Sequence, residues 1–232
     1  MTNRTASAWM GARVALRRMR GPSIILLTVA TVAFTTLVAV AERKLGGLGA
    51  ASRTIQGPLF GLALPLSIVA LVSLAFEHKR AEDAFEPIAL LGANRRAALL
   101  GAVAGVAVIG AFLATVTACI GTLFAHGIHD PNGPGDAWLT ARTGALAGAA
   151  YVSYYAAAST FGKRGGGRMI ALVANLVFGA MAGIAAIPFP HAHVLNLLGA
   201  EPVANLSQRV SSVVLVALTV GYAGIAASRT RR

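Results

Sequence analysis

Six long apolar segments are the feature of this sequence that most limits the folds it can adopt. They lie at about 23–41, 58–76, 97–124, 144–161, 169–187 and 210–227. Each is close to the roughly 20 residues that cross a bilayer as an α-helix. Strands of a membrane barrel would alternate apolar and polar residues, and these segments do not alternate. The sequence therefore predicts an all-α membrane protein with six transmembrane helices.

The composition supports this class. The chain is 56% hydrophobic, has a mean hydropathy of +0.69 and is only 12% charged, whereas soluble domains carry about 25% charged residues. Because the charges fall in short clusters, we expect one transmembrane domain over 1–232 and no separate soluble domain. The net charge of +12 could indicate a nucleic-acid partner. The basic residues flank apolar segments, however, so we expect no nucleic acid and interpret them as orientation signals.

The distribution of Lys and Arg predicts the orientation in the membrane. Fifteen of these residues lie in the two terminal segments and in the loops 77–96 and 162–168, against five in the alternating loops. Positive residues accumulate on the cytoplasmic side, so we expect a multi-pass protein of the bacterial cytoplasmic (inner) membrane with both termini in the cytoplasm. The five cations predicted to lie outside are Arg43, Lys44, Arg53, Arg142 and Arg209.

The segment 1–20 has the pattern of a helix that lies at the membrane surface. Arg13, Arg17 and Arg20 recur at helical spacing, beside an apolar stripe that includes Trp9. A basic flank that only fixes orientation is the alternative. Since the apolar segment that follows exceeds the roughly 7–15 residues of a signal-peptide core, we interpret it as a retained span.

The loop between the second and third spans is unusually acidic. Phe85, Ile88 and Leu91 recur there at a spacing of three, and Gly92 stands where a helix would stop. We expect a short amphipathic helix at the inner surface that presents acids and one aromatic ring to a soluble partner. A solvated loop with ordinary flanking charges is the alternative. Four of the eight acidic residues of the chain lie here within ten positions: Glu77, Glu82, Asp83 and Glu86.

Two further segments carry polar or irregular features. Between the fifth and sixth spans, 188–209 is too apolar for a free loop and too short to span, so we expect a short helix that dips into the outer leaflet, bounded by Pro190 and by 199–202. The fourth and fifth spans contain polar side chains that either line a substrate path or hold helices together. These candidate path residues are Tyr151, Tyr154, Tyr155, Ser159 and Asn175.

Several chemistries are missing from the sequence. The cores of the spans hold no Asp, Glu, Lys, Arg or His, and no His-Glu-x-x-His or GxxxxGK[ST] motif occurs. The five histidines fall in predicted loops; His126, His129 and Asp130, or His191 and His193, are too few to hold a metal. We therefore expect no catalytic residue, metal or cofactor in this chain. ATP-driven transport would need an ATPase on another polypeptide.

The order of these features resembles the membrane subunits of ABC transporters of the type 2 exporter class. The segments that carry the resemblance are WMGARVALRRMR, EHKRAEDAFEPIALLGANRRAALLG, ASTFGKRGGGRMIAL and PHAHVLNLLGAEPV. The resemblance covers essentially the whole chain, although its motifs are loose. The phrase ALLGANRR is also similar to FtsX/MacB-like ABC permeases, which have four spans and a large outer domain that this chain lacks.

The resemblance implies six spans, an N-terminal elbow helix, a coupling helix over 77–92 and short re-entrant helices before the last span. It implies a dimer with a second copy or a paralogue and a separate ABC ATPase that binds ATP and Mg. The implied activity is export, and the apolar character of the spans favours an amphipathic or lipophilic substrate. A membrane enzyme acting on lipids and a scaffold that recruits a soluble partner are the alternatives. The implied ATPase-docking residues are Glu82, Asp83, Leu91, Glu86 and, as the anchor, Phe85.

Overall fold

A computed structural model describes residues 4–45, 49–127, 130–181 and 183–230. Within these ranges the regular structure is entirely helical. The α-helices are α1 (Arg4–Arg18), α2 (Pro22–Leu45), α3 (Ala50–Thr54), α4 (Leu64–Ala75), α5 (Ala81–Ala84), α6 (Glu86–Leu90), α7 (Arg95–His126), α8 (Gly133–Ala158), α9 (Gly167–Phe178), α10 (Pro190–Leu197) and α11 (Gln208–Ser228).

In the part of the chain that the structure describes, four helical segments are both long and apolar enough to cross a membrane. They are Pro22–Leu45, Ala51–Ala75, Arg95–His126 and Gln208–Ser228. The prediction of an all-α chain with membrane-length apolar helices is confirmed, and the count of six spans is not. The helix α8 has 26 residues, but its first part carries Asp136 and Arg142 and is less apolar.

The continuous fifth span predicted over 169–187 is not formed. The helix α9 has only 12 residues, which at 1.5 Å per residue is about 18 Å, well short of the roughly 30 Å hydrocarbon core. After Phe178 the chain is interrupted by Gly179 and Gly183 and then by Pro188 and Pro190, residues that end or break helices. The short helix α10 then begins at Pro190, within the bounds predicted for the dipping helix. Its position relative to a membrane stays a prediction.

The second membrane-length helix contains a wide turn. Residues Ile55–Ala63 form a π-helix between α3 and α4, and Pro58 lies inside it. A proline lacks the amide donor of an α-helix, and its ring clashes with the carbonyl four residues earlier. The wider turns of the π-helix accommodate Pro58 without ending the helical segment. Such turns are rare and often occur at functional sites.

The helix α1 packs tightly along the N-terminal part of α7. An added Cβ on Gly11 would lie 1.8 Å from the Ala98 carbonyl oxygen, and one on Gly101 would lie 1.8 Å from that of Ala8. Small residues of this kind let two helix backbones approach closely. The contacts advance in the same direction on both helices, so α1 runs parallel to α7: Ser7 with Asn94, Gly11 with Ala98, Ala8 with Gly101, Ala12 with Gly105. The position of α1 at the membrane surface, and its role as an elbow helix, stay predictions.

The centre of the bundle is the pair α7 and α8. Gly110 and Gly148 face each other so closely that a Cβ on Gly148 would lie 2.4 Å from the Gly110 carbonyl oxygen. Gly144 approaches the Ala114 carbonyl in the same way, at 2.7 Å. Gly148 lies later on α8 than Gly144 but meets an earlier position on α7, so the two helices are antiparallel. Other helices then cover this pair, for example α2 through Thr35, which lies over Gly121.

The two ends of the bundle differ in charge. At one end, here called the basic end, the acidic loop 77–94 meets the connection 159–168. The Ala81 amide donates to the Ser159 carbonyl at 3.3 Å, and Arg229 at the end of α11 lies 4.2 Å from the centroid of the Phe161 ring. The structure thus groups the segments that the Lys and Arg pattern assigned to one side. We call the other end of α7 the opposite end.

Candidate functional site

The acidic loop at the basic end forms two short helices instead of the single one predicted. The break is at Phe85, whose φ of −112° and ψ of 9° are not helical. Pro87 stands in the first turn of α6, and a proline ring restricts the residue before it and cannot donate to the preceding turn. The predicted stop is confirmed, because α6 ends at Leu90 and Gly92 has φ +86°.

The expected surface anchor Phe85 faces inward, so that prediction is corrected. Its side chain is 0% exposed and meets Phe76 edge to face at a centroid distance of 5.7 Å. The Arg18 guanidinium lies 5.2 Å from its ring centroid on the other side. Ile88 is buried as well, whereas Leu91 is exposed. Phe85 and Ile88 therefore lie on the buried side of the loop, whereas Leu91, which follows the last residue of α6, is on the exposed side.

Arg18 joins the loop to the end of α1. Its guanidinium donates to the Ala84 carbonyl at 2.8 Å and to the Ala75 carbonyl at 3.3 Å, and it pairs with Glu77 at 2.8 Å. A hydrogen bond from Lys79, together with Arg18, holds the pKa of Glu77 below its usual value, so this carboxylate stays charged at neutral pH. One arginine thus fixes α1, α4 and α5 to one another.

Three more arginines hold the loop to the rest of the bundle. Arg95, at the start of α7, donates to the Glu82 carbonyl. Arg80 donates to the Thr160 carbonyl at 3.0 Å, and Arg168 of α9 donates to the Lys79 carbonyl at 3.0 Å. The loop is therefore attached through directed bonds to α1, α7, α9 and the connection that follows α8. Sequence reasoning treated these arginines only as orientation signals, since nothing in the pattern marks which carbonyl each one meets.

The loop still presents a surface to solvent. Leu90 is 82% and Leu91 is 86% exposed, and Asp83 and Glu86 are exposed as well. Glu82 is largely covered and pairs with Arg80 at 2.6 Å. We call Asp83, Glu86, Leu90 and Leu91 the docking surface, after the role that the sequence predicts for this loop. Sequence reasoning missed Leu90, which the assumption of one continuous helix placed off the apolar face.

The polar residues of the predicted substrate path lie mostly in one buried cluster. Tyr151 and Tyr155 are stacked at 6.2 Å, Tyr154 and Tyr155 meet at 5.3 Å, and all three are buried with Asn175. Asn175 accepts from the backbone amide of His191 at 3.2 Å. In this conformation the cluster packs α8 against α9 and α10. Ser159 stands apart at the basic end, where its hydroxyl donates to the Tyr155 carbonyl within its own helix.

Two histidines expected in a loop are buried in α10. His191 Nδ1 lies 3.2 Å from the Tyr151 hydroxyl, and His193 bridges Ser211 and the Ile187 carbonyl. The sequence shows that these residues are polar, but not that α10 packs against other helices and buries them. Among the described residues no group of three or more His, Cys, Asp or Glu side chains is placed to hold a metal ion. His129, considered with His126 and Asp130, lies outside the described residues.

Two polar atoms in this cluster make no hydrogen bond to the described residues. They are the Tyr155 hydroxyl and the Asn175 side-chain nitrogen, and both are buried. A buried polar group without a partner costs about 1–3 kcal/mol. The substrate path that the sequence suggests through these residues stays a prediction.

We expect Tyr155→Phe to leave the free energy of unfolding unchanged or raise it by about 1 kcal/mol, because the lost hydroxyl has no partner. Tyr151→Phe is the matched control and should lower it by about 1 kcal/mol, since its hydroxyl meets His191. Thermal unfolding of the purified chain in detergent measures both. A Tyr155→Phe variant less stable than Tyr151→Phe would show that the Tyr155 hydroxyl is bonded.

The opposite end holds a cavity of about 910 Å³. One wall carries His126, whose two ring nitrogens lie 2.8 Å from Asp130 and 3.2 Å from Asp136. The hydrogen bond with His126 holds the pKa of Asp130 below its usual value. Both carboxylates are thus engaged. The π-helix contributes Gln56, which donates to the Leu198 carbonyl at 3.0 Å.

Comparison of the chain with protein-family models, with curated proteins and with solved structures found no match.

Proposed function

We propose that this chain is the permease subunit of an ATP-binding-cassette transporter that moves an amphipathic or lipophilic substrate across the bacterial cytoplasmic membrane. A separate ATPase subunit, with its own ATP and Mg, supplies the energy. The observation that carries the proposal is the docking surface. It exposes two leucines and two acids at the basic end, on a loop that arginines attach to the rest of the bundle.

The attachments explain how force would reach the helices. A push on the loop would pass to α1 through Arg18 and to α7 through Arg95, because both arginines bond to carbonyls of α5. Through Arg80 it also reaches the connection between α8 and α9. Because a packed bundle deforms little, such a push produces a rigid-body movement more readily than a local bend. Two copies of the chain, or the chain and a paralogue, would move together when the paired ATPase subunits close.

The exposed side chains of the docking surface indicate which groups the partner must present. Leu90 and Leu91 require an apolar pocket, and Asp83 and Glu86 beside them require basic groups at its rim. A partly apolar centre with charged edges is typical of protein interfaces.

The test is co-purification in mild detergent with the P-loop ATPase encoded nearest this gene. We expect Leu91→Glu and Glu86→Arg each to lower the ATPase recovered by at least about tenfold, as for central interface residues. The matched controls are Leu45→Glu and Glu201→Arg at the opposite end, both exposed, which should leave recovery unchanged.

Equal recovery with all four variants would rule out the docking surface. A scaffold that recruits the ATPase without transport would pass this test, but would give no ATP-dependent flux in liposomes. A membrane enzyme acting on lipids would keep its activity with no ATPase present.

A further inference from the structure

The basic residues at the opposite end converge on the cavity there. Of the five cations that the sequence placed on that side, three line it: Arg43, Arg142 and Arg209. Within the described parts of the chain none of these three lies within 4 Å of a carboxylate. The two nearby acids, Asp130 and Asp136, are held against His126. The lining of the cavity therefore carries three guanidinium groups against two carboxylates, and none of the three is paired with a carboxylate within 4 Å.

A second cavity, of about 580 Å³, continues from the first as a groove between α8 and α11. The two share Arg142, Leu146 and Ser212 as lining residues. Beyond these the groove is apolar, and it runs down α11 as far as Val220. Val220 lies eight residues past Ser212, about 12 Å further along the helix axis. The charged group thus stands at one end of an apolar channel that follows the helices.

The membrane interface that the sequence predicts near Trp138 places Arg142 at a depth that suits a lipid headgroup. Trp138, one turn earlier on α8, is 72% exposed, and exposed tryptophans mark the membrane interface. Arg142 lies about 6 Å deeper. A guanidinium at this depth, with no carboxylate partner, is stabilised by an anion, and a phosphate accepts two parallel bonds from it.

We propose that the two cavities together bind an anionic lipid, with its phosphate at Arg142 and one acyl chain in the groove between α8 and α11. The polar cavity above Arg142, with Arg43 and Arg209 on its walls, holds the rest of the headgroup. If the proposed function is correct, this lipid is the transported substrate. Only that statement rests on the proposed function. The binding itself requires no ATPase, so it can succeed or fail independently of the docking surface.

The experiment is native mass spectrometry of the full chain in detergent, with equimolar phosphatidylglycerol and phosphatidylcholine of the same acyl chains. We expect the wild type to retain phosphatidylglycerol about tenfold over phosphatidylcholine. Arg142→Gln should bring the ratio close to one, and Arg142→Lys should leave an intermediate ratio because the charge stays but the paired bonds are lost. Lys44→Gln removes the same charge at the same end, outside the cavity lining, and should change nothing.

A second pair of variants tests the groove. Ala217→Phe fills it and should lower the retention of both lipids, whereas Ala30→Phe, on an exposed face of α2, should not. Both positions are exposed, so the fold is not at risk. Equal retention of the two lipids by the wild type, or an unchanged ratio in Arg142→Gln, would mean that only ordinary surrounding lipid is bound and would overturn the proposal. Unchanged retention in Ala217→Phe would remove the groove from it.

Discussion

Replacing Gly101 by leucine is expected to detach α1 from α7 and to destabilise the protein by about 3 kcal/mol or more. Even the first carbon of the new side chain would lie 1.8 Å from the Ala8 carbonyl oxygen, and a backbone atom cannot move aside as a flexible side chain can. Gly224→Leu is the control of equal size, since nothing lies within 4 Å of a Cβ at that position. It should have little effect.

The detachment can be measured by cross-linking. A Cβ on Gly105 would lie 3.5 Å from the Ala12 Cβ, within the roughly 3.5–4.5 Å that a disulfide needs. In a Cys119→Ala background, Ala12→Cys with Gly105→Cys should form a disulfide on mild oxidation. Adding Gly101→Leu should abolish it, and Ala12→Cys with the exposed Val108→Cys should form none. Efficient cross-linking in the presence of Gly101→Leu would contradict the parallel packing of α1 on α7.

The second large effect is expected for Phe85→Ala, which should lower the free energy of unfolding by about 3–5 kcal/mol. The ring is fully buried against Phe76 and beneath Arg18, so its removal leaves a cavity where the loop joins the bundle. The exposed neighbour Leu91 gives the matched control, since Leu91→Ala should change stability by less than about 0.5 kcal/mol. Denaturant unfolding in mixed micelles measures both variants.

The same pair of variants separates folding from docking. Leu91→Ala should weaken ATPase recovery while the chain stays as stable as the wild type. If instead Phe85→Ala kept full stability and lost only the ATPase, Phe85 would be the surface anchor that the spacing of three suggests, and its buried placement would be wrong.

Local pattern was sufficient for some elements and not for others. The stop at Gly92 followed from the ability of glycine to adopt positive φ, and α10 began at Pro190 because proline suits the first turn of a helix. The length of the fifth span was predicted too great. The mean apolarity of 169–187 is high whether or not Gly179 and Gly183 interrupt the helix. The spacing of Phe85, Ile88 and Leu91 indicates a shared face only in a continuous helix, and Pro87 cannot donate a hydrogen bond to the preceding turn.

Some features of the candidate sites could likewise be predicted from the sequence, and others could not. The acidic loop was found by composition alone, since four carboxylates between two apolar segments must lie in water. Its attachment through Arg18, Arg80 and Arg95 was not visible, because each bond joins residues that are 13 to 80 positions apart. The cavity lined by Arg43, Arg142 and Arg209 was not visible either, because the ends of α2, α8 and α11 meet only in the folded chain.

The sequence by itself determined that the chain is helical and suited to a membrane. The length and apolarity of a segment are local properties, and they decide whether that segment can cross a bilayer as a helix. It also determined which loops carry charge. The tertiary structure alone decided which charges are neutralised, which aromatic ring is buried and where small residues allow backbones to touch. Those outcomes depend on distances between residues far apart in the chain, and a linear pattern contains no such distances.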